Sequence, residues 1–287
     1  MNKKDVQLIL KKLDITPSKQ LGQNFLINNT TRDIIINRAQ VSKNDIILEI
    51  GPGLGALTEK LVENAKKVYA IEIDSRLSTF LKNKFSNFDN LEIINDDSLN
   101  IDHPFHNKVV SNLPYTITGP ILEKLFFKEK PPQGFLVIEK AIADRIFYQD
   151  NYKNLSRITI SVNTFMRPIK KYKISRYSFY PTPNIDLTLV NLSPNDKIDK
   201  FLGDEYKRTF YLKILGGIMP YKNKNLANAL ELYIKKKLNL DLNKKDIYNI
   251  LEQNNVENNK VSSYSISDFV KISKIFYEKI GLKGKCD

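Results

Sequence analysis

Cysteine is nearly absent from this chain: of 287 residues only Cys286 carries a thiol. No disulfide can form within it, which fits a reducing compartment. Histidine is almost as scarce. His103 and His106 stand in a proline-containing loop with no cysteine or further ligand pattern beside them, so no metal site is expected. No stretch approaches the roughly 20 apolar residues of a membrane span. Near the start, Val6, Ile9, Leu10 and Leu13 recur at helical spacing between charges, unlike the unbroken apolar core of a secretory signal. A soluble cytoplasmic protein with no membrane attachment is therefore expected. Internal repeats and low-complexity tracts are also missing, which leaves a conventional domain reading.

Acidic residues are in deficit. Lysine and arginine number 45 against 32 acids, a formal net charge of +13. Such an excess points to an anionic partner, nucleic acid or an acidic membrane surface. Its placement carries more weight than its size. The first forty residues hold Lys3, Lys4, Lys11, Lys12, Lys19, Arg32 and Arg38 against Asp5, Asp14 and Asp33. Between Phe165 and Arg176 lie five basic residues and no acid, interleaved with aromatic ones. That composition suits a phosphate backbone. It equally suits a solvated edge strand kept polar against aggregation.

What the chain does have is a series of apolar strands ending in chemistry. Asp45–Ile50 is a strand running into Gly51-Pro52-Gly53-Leu54-Gly55, followed by a helical pattern with Leu57, Leu61 and Val62. The glycines allow a sharp turn and close approach to a ligand, with a helix N-terminus facing the site. Lys67–Glu72 reads as a second strand ending in a carboxylate that can accept both hydroxyls of a ribose. Gly51, Gly53 and Ala56 also satisfy the dinucleotide fingerprint, with an acid about 20 residues on. Glu49, inside the strand before the turn, decides between the two. It would repel a pyrophosphate but favour the cationic amino-acid tail of S-adenosyl-L-methionine (SAM). A third strand, Leu91–Ile94, ends at Asp97 and Ser98, where an acid and a backbone N–H can read the adenine of the cofactor. Taken alone, Asp97 is more simply a turn former.

After Val109-Val110 comes Asn112-Leu113-Pro114-Tyr115. The Asn offers an amide oxygen, Pro114 stiffens the turn and leaves the Leu113 carbonyl as a second acceptor, and Tyr115 offers a flat face. Two acceptors beside an aromatic plate suit a planar ring with an exocyclic amine. Thr118 is placed to cap a helix through Ile121, Leu122, Leu125 and Phe126, and Phe135–Ile138 is another buried strand. A helix follows with Ile142, Arg145, Ile146 and Phe147, and Ile158–Val162 alternates as a strand would. Phe179 is a candidate second plate opposite Tyr115, or core. Leu21–Leu26 (LGQNFL) reads by itself as a loop entering a helix. From about Ser193 the strands give way to helical periodicity over 206–215, 225–236, 244–251 and 267–280, with Pro194 as a linker. Lysines cluster there at Lys222, Lys224, Lys235, Lys236 and Lys237.

Five segments in order carry a family resemblance: LGQNFL at 21–26, EIGPGLGALT at 49–58, AIEID at 70–74, NLPY at 112–115 and FYPTPNID at 179–186. From about Pro17 to Val190, and more weakly beyond, the chain resembles the rRNA adenine N6-dimethyltransferases. That family includes the small-subunit rRNA dimethylating enzymes and the erythromycin-resistance methylases. The glycine loop and the leucine of NLPY resemble the small-subunit branch more.

The resemblance implies an α/β fold: a Rossmann-like SAM-dependent methyltransferase domain with a mostly parallel sheet over residues 1–193, then a small all-α RNA-contacting domain over 194–287. It implies dimethylation at N6 of two neighbouring adenines in small-subunit rRNA, free or in a pre-ribosomal particle. SAM would be the cofactor, S-adenosyl-L-homocysteine the product, and the protein a monomer. Carried over by position, Gln23, Asn24 and Leu26 would line the cofactor tail, and Glu49, Gly51 and Gly53 its loop. Glu72 would hold the ribose, Asp97 and Ser98 the cofactor adenine, and Asn112 would bridge cofactor and target. Leu113, Tyr115 and Phe179 would hold the target base. The chain departs from the family at Glu139-Lys140-Ala141, usually Gln-Lys-Glu, at Leu187, usually a small serine, and at Lys222-Asn223-Lys224, usually paired arginines. Two other readings share these features: a non-catalytic rRNA-binding assembly factor, and an adenine N6-methyltransferase of large-subunit rRNA.

Overall fold

The computed structural model describes residues 1–18, 20–147, 155–238 and 242–281, with the side chains of residues 237, 238 and 281 left aside. Lys19 and Cys286, named above, lie outside the described residues, as does the Lys237 side chain. The chain forms two compact units. The first comprises Met1–Phe126, Lys130–Phe147 and Met166–Pro194, and the second Phe127–Glu129, Tyr148–Phe165 and Asn195–Asp287.

A seven-stranded sheet organises the first unit. Its strands are β2 (Ile46–Ile50), β3 (Lys67–Glu72), β4 (Leu91–Asn95), β5 (Lys108–Asn112), β6 (Gln133–Glu139), β7 (Met166–Ile174) and β9 (Leu187–Pro194). The order is β4-β3-β2-β5-β6-β9-β7. The first five run parallel, while β9 and β7 pair antiparallel. Ile47, Leu48, Val68, Ala70, Val109, Val110, Leu136 and Val137 are all fully buried. Strands covered on both faces need such continuous apolar runs, so these segments are legible from composition alone. Helices α2 (Asn29–Ala39), α3 (Thr58–Asn64), α4 (Ser75–Lys84), α5 (Thr118–Phe126) and α6 (Lys140–Ile146) belong to this unit, as does α1 (Lys3–Lys12). Strand order reverses between β2 and β5, and the crevice at their C-terminal ends is where such sheets bind ligands.

A second, two-stranded sheet joins β1 (Phe25–Leu26) to β8 (Phe179–Tyr180), with Phe25 opposite Tyr180 and Leu26 opposite Phe179. Phe25 packs with Val6, Leu10 and Ile15 of the N-terminal segment, together with Leu54 and Leu77.

Helices α7 (Arg157–Phe165), α8 (Glu205–Ile218), α9 (Leu226–Tyr233), α10 (Lys244–Gln253) and α11 (Ile266–Phe276) build the second unit. Asp204, Asn243 and Ser265 cap α8, α10 and α11 through their side chains. Phe127 stacks on Phe165 at 5.4 Å, and the Tyr211 hydroxyl meets Thr164 Oγ1 at 2.7 Å in the core.

Three sequence expectations need correction. Ile158–Val162 lies in helix α7, not a strand. Thr159, Ile160, Ser161 and Val162 are buried in succession, so its five β-branched and small residues report burial on all sides rather than a period of two. Pro194 is no linker but the last residue of β9, opposite Met166. Thr118 is already the first residue of α5, because a 3-10 turn over Tyr115–Ile117 runs straight into the helix. Its hydroxyl donates to the Tyr115 carbonyl at 3.3 Å instead of capping.

Candidate active site

The turn after β2 sets the floor of a cleft. Gly51, Gly53 and Gly55 all have positive φ, and the Gly51 N–H donates to the Ile71 carbonyl at the end of β3. Glu72 fixes the next step: its Oε2 accepts the Gly53 N–H at 3.0 Å and its Oε1 the Asp74 N–H at 3.0 Å. Burial pushes the Glu72 carboxyl above its ordinary range, and the backbone donors oppose that rise. This carboxylate lines the cleft with lone pairs to spare.

Glu49 sits deeper, with 2% of its surface exposed. Thr58 Oγ1 donates to its Oε2 at 2.7 Å. Burial raises its pKa to about 8; the Thr58 hydrogen bond opposes this, the neighbouring Glu72 charge adds to it, and Lys84 acts against it. Glu49 therefore holds a proton at neutral pH until a cation approaches. It lines a smaller recess with Leu26, and that recess shares Asn24, Gly51, Gly53 and Asn112 with the main cleft.

At the end of β5, the Asn112 amide is oriented by its partner. Nδ2 donates to the Asn24 carbonyl at 3.2 Å, an interaction only the amide nitrogen can make. Oδ1 is thereby directed elsewhere, buried and without a hydrogen-bond partner among the described residues. Buried acceptors in native folds are nearly always paired, so a lone one on the wall of a cleft marks a position built for a donor.

Asp97 and Ser98 line the same cleft. Asp97 is also the turn former its position suggests: Oδ1 accepts the Leu99 N–H at 2.9 Å and Oδ2 the Asn100 side chain at 3.1 Å. Ser98 Oγ lies 2.8 Å from His103 Nε2. Leu113, Tyr115 and Phe179 stand back from the walls. Leu113 is fully buried and donates its N–H to the Val137 carbonyl. Phe179 and the half-buried Tyr115 share one apolar cluster, with Phe179 only 1% exposed, so the two rings lie in the same region but Phe179 is core in this structure. Burial also pushes the Tyr115 phenol well above its ordinary range, and its hydroxyl too is buried without a partner among the described residues.

The loop over 20–25 contributes more than its local sequence announces. Gln20 through Phe25 line the cleft. The Gln23 and Asn24 amides hold the loop's own backbone: Gln23 Oε1 accepts the Ser18 N–H, and Asn24 Nδ2 donates to the Gly22 carbonyl. Gly22 has φ +62°, and a Cβ there would meet the Tyr115 nitrogen at 3.1 Å and Pro114 Cα at 3.2 Å. Neither the positive φ nor the long-range neighbour is visible in six residues of sequence. Gly22→Ala is expected to cost about 1–2 kcal/mol from the left-handed backbone alone, measured by equilibrium denaturation. An unchanged midpoint would show that the loop relaxes freely. Pro114 also lines the cleft, as do Thr116, Ile117 and Asp96, to which the sequence reading assigned no role.

The arrangement pairs buried carboxylates with a lone amide acceptor and no metal cluster among the described residues. It suits a cationic nucleoside on one side and an amine-bearing ring on the other.

The chain is similar to known proteins over nearly its whole length. The model of the family described as ribosomal RNA adenine dimethylase matches residues 6–274. A ribosomal RNA small subunit methyltransferase A from Clostridioides difficile is 33% identical, with 96% of each chain covered. Another of that name from Clostridium acetobutylicum is 32% identical, covering 96% of this chain and all of the relative. Among solved structures, a dimethyladenosine transferase from Plasmodium falciparum is 28% identical with a TM-score of 0.71, covering 90% of this chain and 98% of that one. The 23S rRNA methyltransferase ErmE, at 23% identity and TM-score 0.58 over 88% of this chain and 99% of its own, shares the fold.

Proposed function

The chain belongs to the ribosomal RNA adenine dimethylase family, and on that premise we propose that it dimethylates adenine N6 in small-subunit rRNA with SAM as methyl donor. The observation that carries the reading is Asn112 Oδ1, a buried acceptor without a partner among the described residues, on an amide that Asn24 has turned.

The residues present fit the cofactor. Glu72 would hold the ribose hydroxyls, Asp97 and the Ser98 backbone the adenine, and Glu49 the ammonium of the amino-acid tail, with Gln23, Asn24, Leu26, Gly51 and Gly53 around it. When bound, SAM supplies a methyl group activated by its sulfonium. The target N6 is a weak nucleophile because its lone pair is delocalised into the ring. Asn112 Oδ1 and the Leu113 carbonyl would accept its N–H groups and favour a pyramidal nitrogen with its lone pair directed outward. Tyr115, its phenol held neutral by burial, would present a ring rather than a base, with Phe179 behind it. Positioning and electrostatics then do the catalysis, and no strong general base is needed. A flipped-out adenine is the form that can enter. Relatives named for the small subunit support that target over large-subunit rRNA, and the likeness to ErmE bears on the fold alone. A cytoplasmic monomer acting on rRNA or a pre-ribosomal particle completes the proposal. No helix among the described residues is long and apolar enough to cross a membrane.

Mass spectrometry of adenines in small- and large-subunit RNA, with and without the protein and SAM, tests this directly. Dimethyladenine confined to the small-subunit RNA is expected. Its appearance only in large-subunit RNA, or nowhere, refutes the assignment.

Glu49 adds a pH signature. Its folded pKa, about 8, is raised above the ordinary value near 4.5. Its contribution to the stability of the ligand-free protein is therefore fully present below about 4.5 and is lost as pH rises through about 8. A bound ammonium favours the ionised carboxylate, so cofactor binding at pH 7 is expected to release a proton. Calorimetry in buffers of different ionisation enthalpy measures this, and Glu49→Gln should abolish the release. Equal binding heats in all buffers for the unaltered protein would refute it.

A further inference from the structure

Strand β7 lies at the edge of the seven-stranded sheet, and its four cations divide between its two faces, Arg167 and Lys170 on one and Lys171 and Lys173 on the other. Directly opposed residues in an antiparallel pair share a face. Arg167 faces Ser193, Lys170 faces Asn191, Tyr172 faces Leu189 and Ile174 faces Leu187. All four β9 partners are odd-numbered, so Arg167, Lys170, Tyr172 and Ile174 lie on one side. The register shift between Pro168 and Lys170 makes this so. Without the extra residue, Arg167 and Lys170 would point to opposite sides. On that side Arg38, from α2, lies 4.6 Å from the centre of the Tyr172 ring, and Lys170 Nζ lies 5.5 Å from it. Arg38, Arg167 and Lys170 are all solvent-exposed. Lys171 and Lys173 lie on the other face, where Lys171 is engaged with Asp144 at 2.6 Å.

A strand made polar only to prevent edge pairing needs charge on the strand, on either face. Here a separate helix adds Arg38 to the face that carries Arg167 and Lys170, beside an aromatic ring, which protection of the strand edge does not require. We propose that Arg38, Arg167 and Lys170, set around Tyr172, form a docking surface for the phosphate backbone of structured RNA, separate from the methylation cleft. The proposal rests on the reading of rRNA as substrate and adds where the body of that RNA is held. Three cations on a rigid strand and helix can neutralise neighbouring phosphates, an interaction that releases counterions and depends steeply on salt.

The test compares the unaltered protein, Arg38→Gln/Lys170→Gln and Lys171→Gln. Each is titrated with transcribed small-subunit rRNA across a salt series and assayed for transfer to that RNA and to a short single-stranded oligonucleotide containing adenine. The double variant should lose about two units of the log–log salt slope and raise KM for rRNA roughly ten-fold. Its SAM affinity and its transfer to the oligonucleotide should stay unchanged. Lys170→Gln alone, which leaves the Arg38 contact in place, should lose about one unit. The proposal is overturned if the slope is unaltered or if Lys171→Gln lowers it equally. A protein that methylates rRNA with the same KM in every variant loses this surface and keeps the proposed function. A protein that neither binds nor methylates RNA loses both.

Discussion

Asn112→Ala is expected to lower methyl transfer by on the order of 100- to 1000-fold, the usual effect of removing one preorganised polar group from a reacting centre. Cofactor binding should remain measurable. The expectation follows from how the amide is held. Its nitrogen is committed to the Asn24 carbonyl, so its oxygen is aimed by the fold and has no partner among the described residues. Alanine removes that acceptor while disturbing one weakly placed hydrogen bond to the 21–26 loop. Single-turnover transfer to rRNA, beside calorimetric titration with S-adenosyl-L-homocysteine, separates the two effects. Transfer at the unaltered rate would remove Asn112 from the reaction, and loss of cofactor affinity in parallel with rate would make it a binding residue only.

The second large effect lies at the opposite end of β5. Lys108, at the start of β5, buries its ammonium within 3.0 Å of Asp45 Oδ2 and donates also to the Ala39 and Gln40 carbonyls. Asp45 in turn accepts from Asn107 at 2.8 Å and from Ser42. Burial acts to raise the Asp45 carboxyl, but Asn107, Ser42 and Lys108 outweigh it and hold it below its ordinary value. Its stabilising contribution is thus present above the ordinary carboxylate pKa and is lost as pH falls through the lower folded one. Lys108→Met leaves that carboxylate and two carbonyls without their cation, and about 3–5 kcal/mol of stability should be lost. Urea denaturation measures it. A loss under ~1 kcal/mol, the range of exposed ion pairs in general, would show that water replaces the ammonium.

Strands β2, β3, β5 and β6 were readable because burial on both faces demands continuous apolar runs, and Glu49, Glu72 and Asn112 were readable because they interrupt or end those runs. The structure gathers them with Gly51, Gly53, Asp97 and Ser98 at one end of the sheet. Other features depend on partners far away in sequence. Helix α7 reads as a strand because five small and β-branched residues fit either period when every side is buried. Gly22 matters through the Tyr115 backbone, and Lys108 through Asp45, neither of which local pattern can supply. The bulge in β7 is likewise a property of pairing with β9.

The short pairing of Phe25–Leu26 with Phe179–Tyr180 bears on the order in which a growing polypeptide acquires its parts. Strands β2 to β5 and both buried carboxylates are synthesised before Phe179 exists. Contacts of such high sequence separation form late, after the loop entropy between them has been overcome. Until then the loop over 20–25 lacks its ribbon partner, and a nascent chain has the glycine turn of the cleft without this lining loop secured. Cofactor affinity in ribosome-bound chains of increasing length should therefore rise sharply only after β8 has emerged.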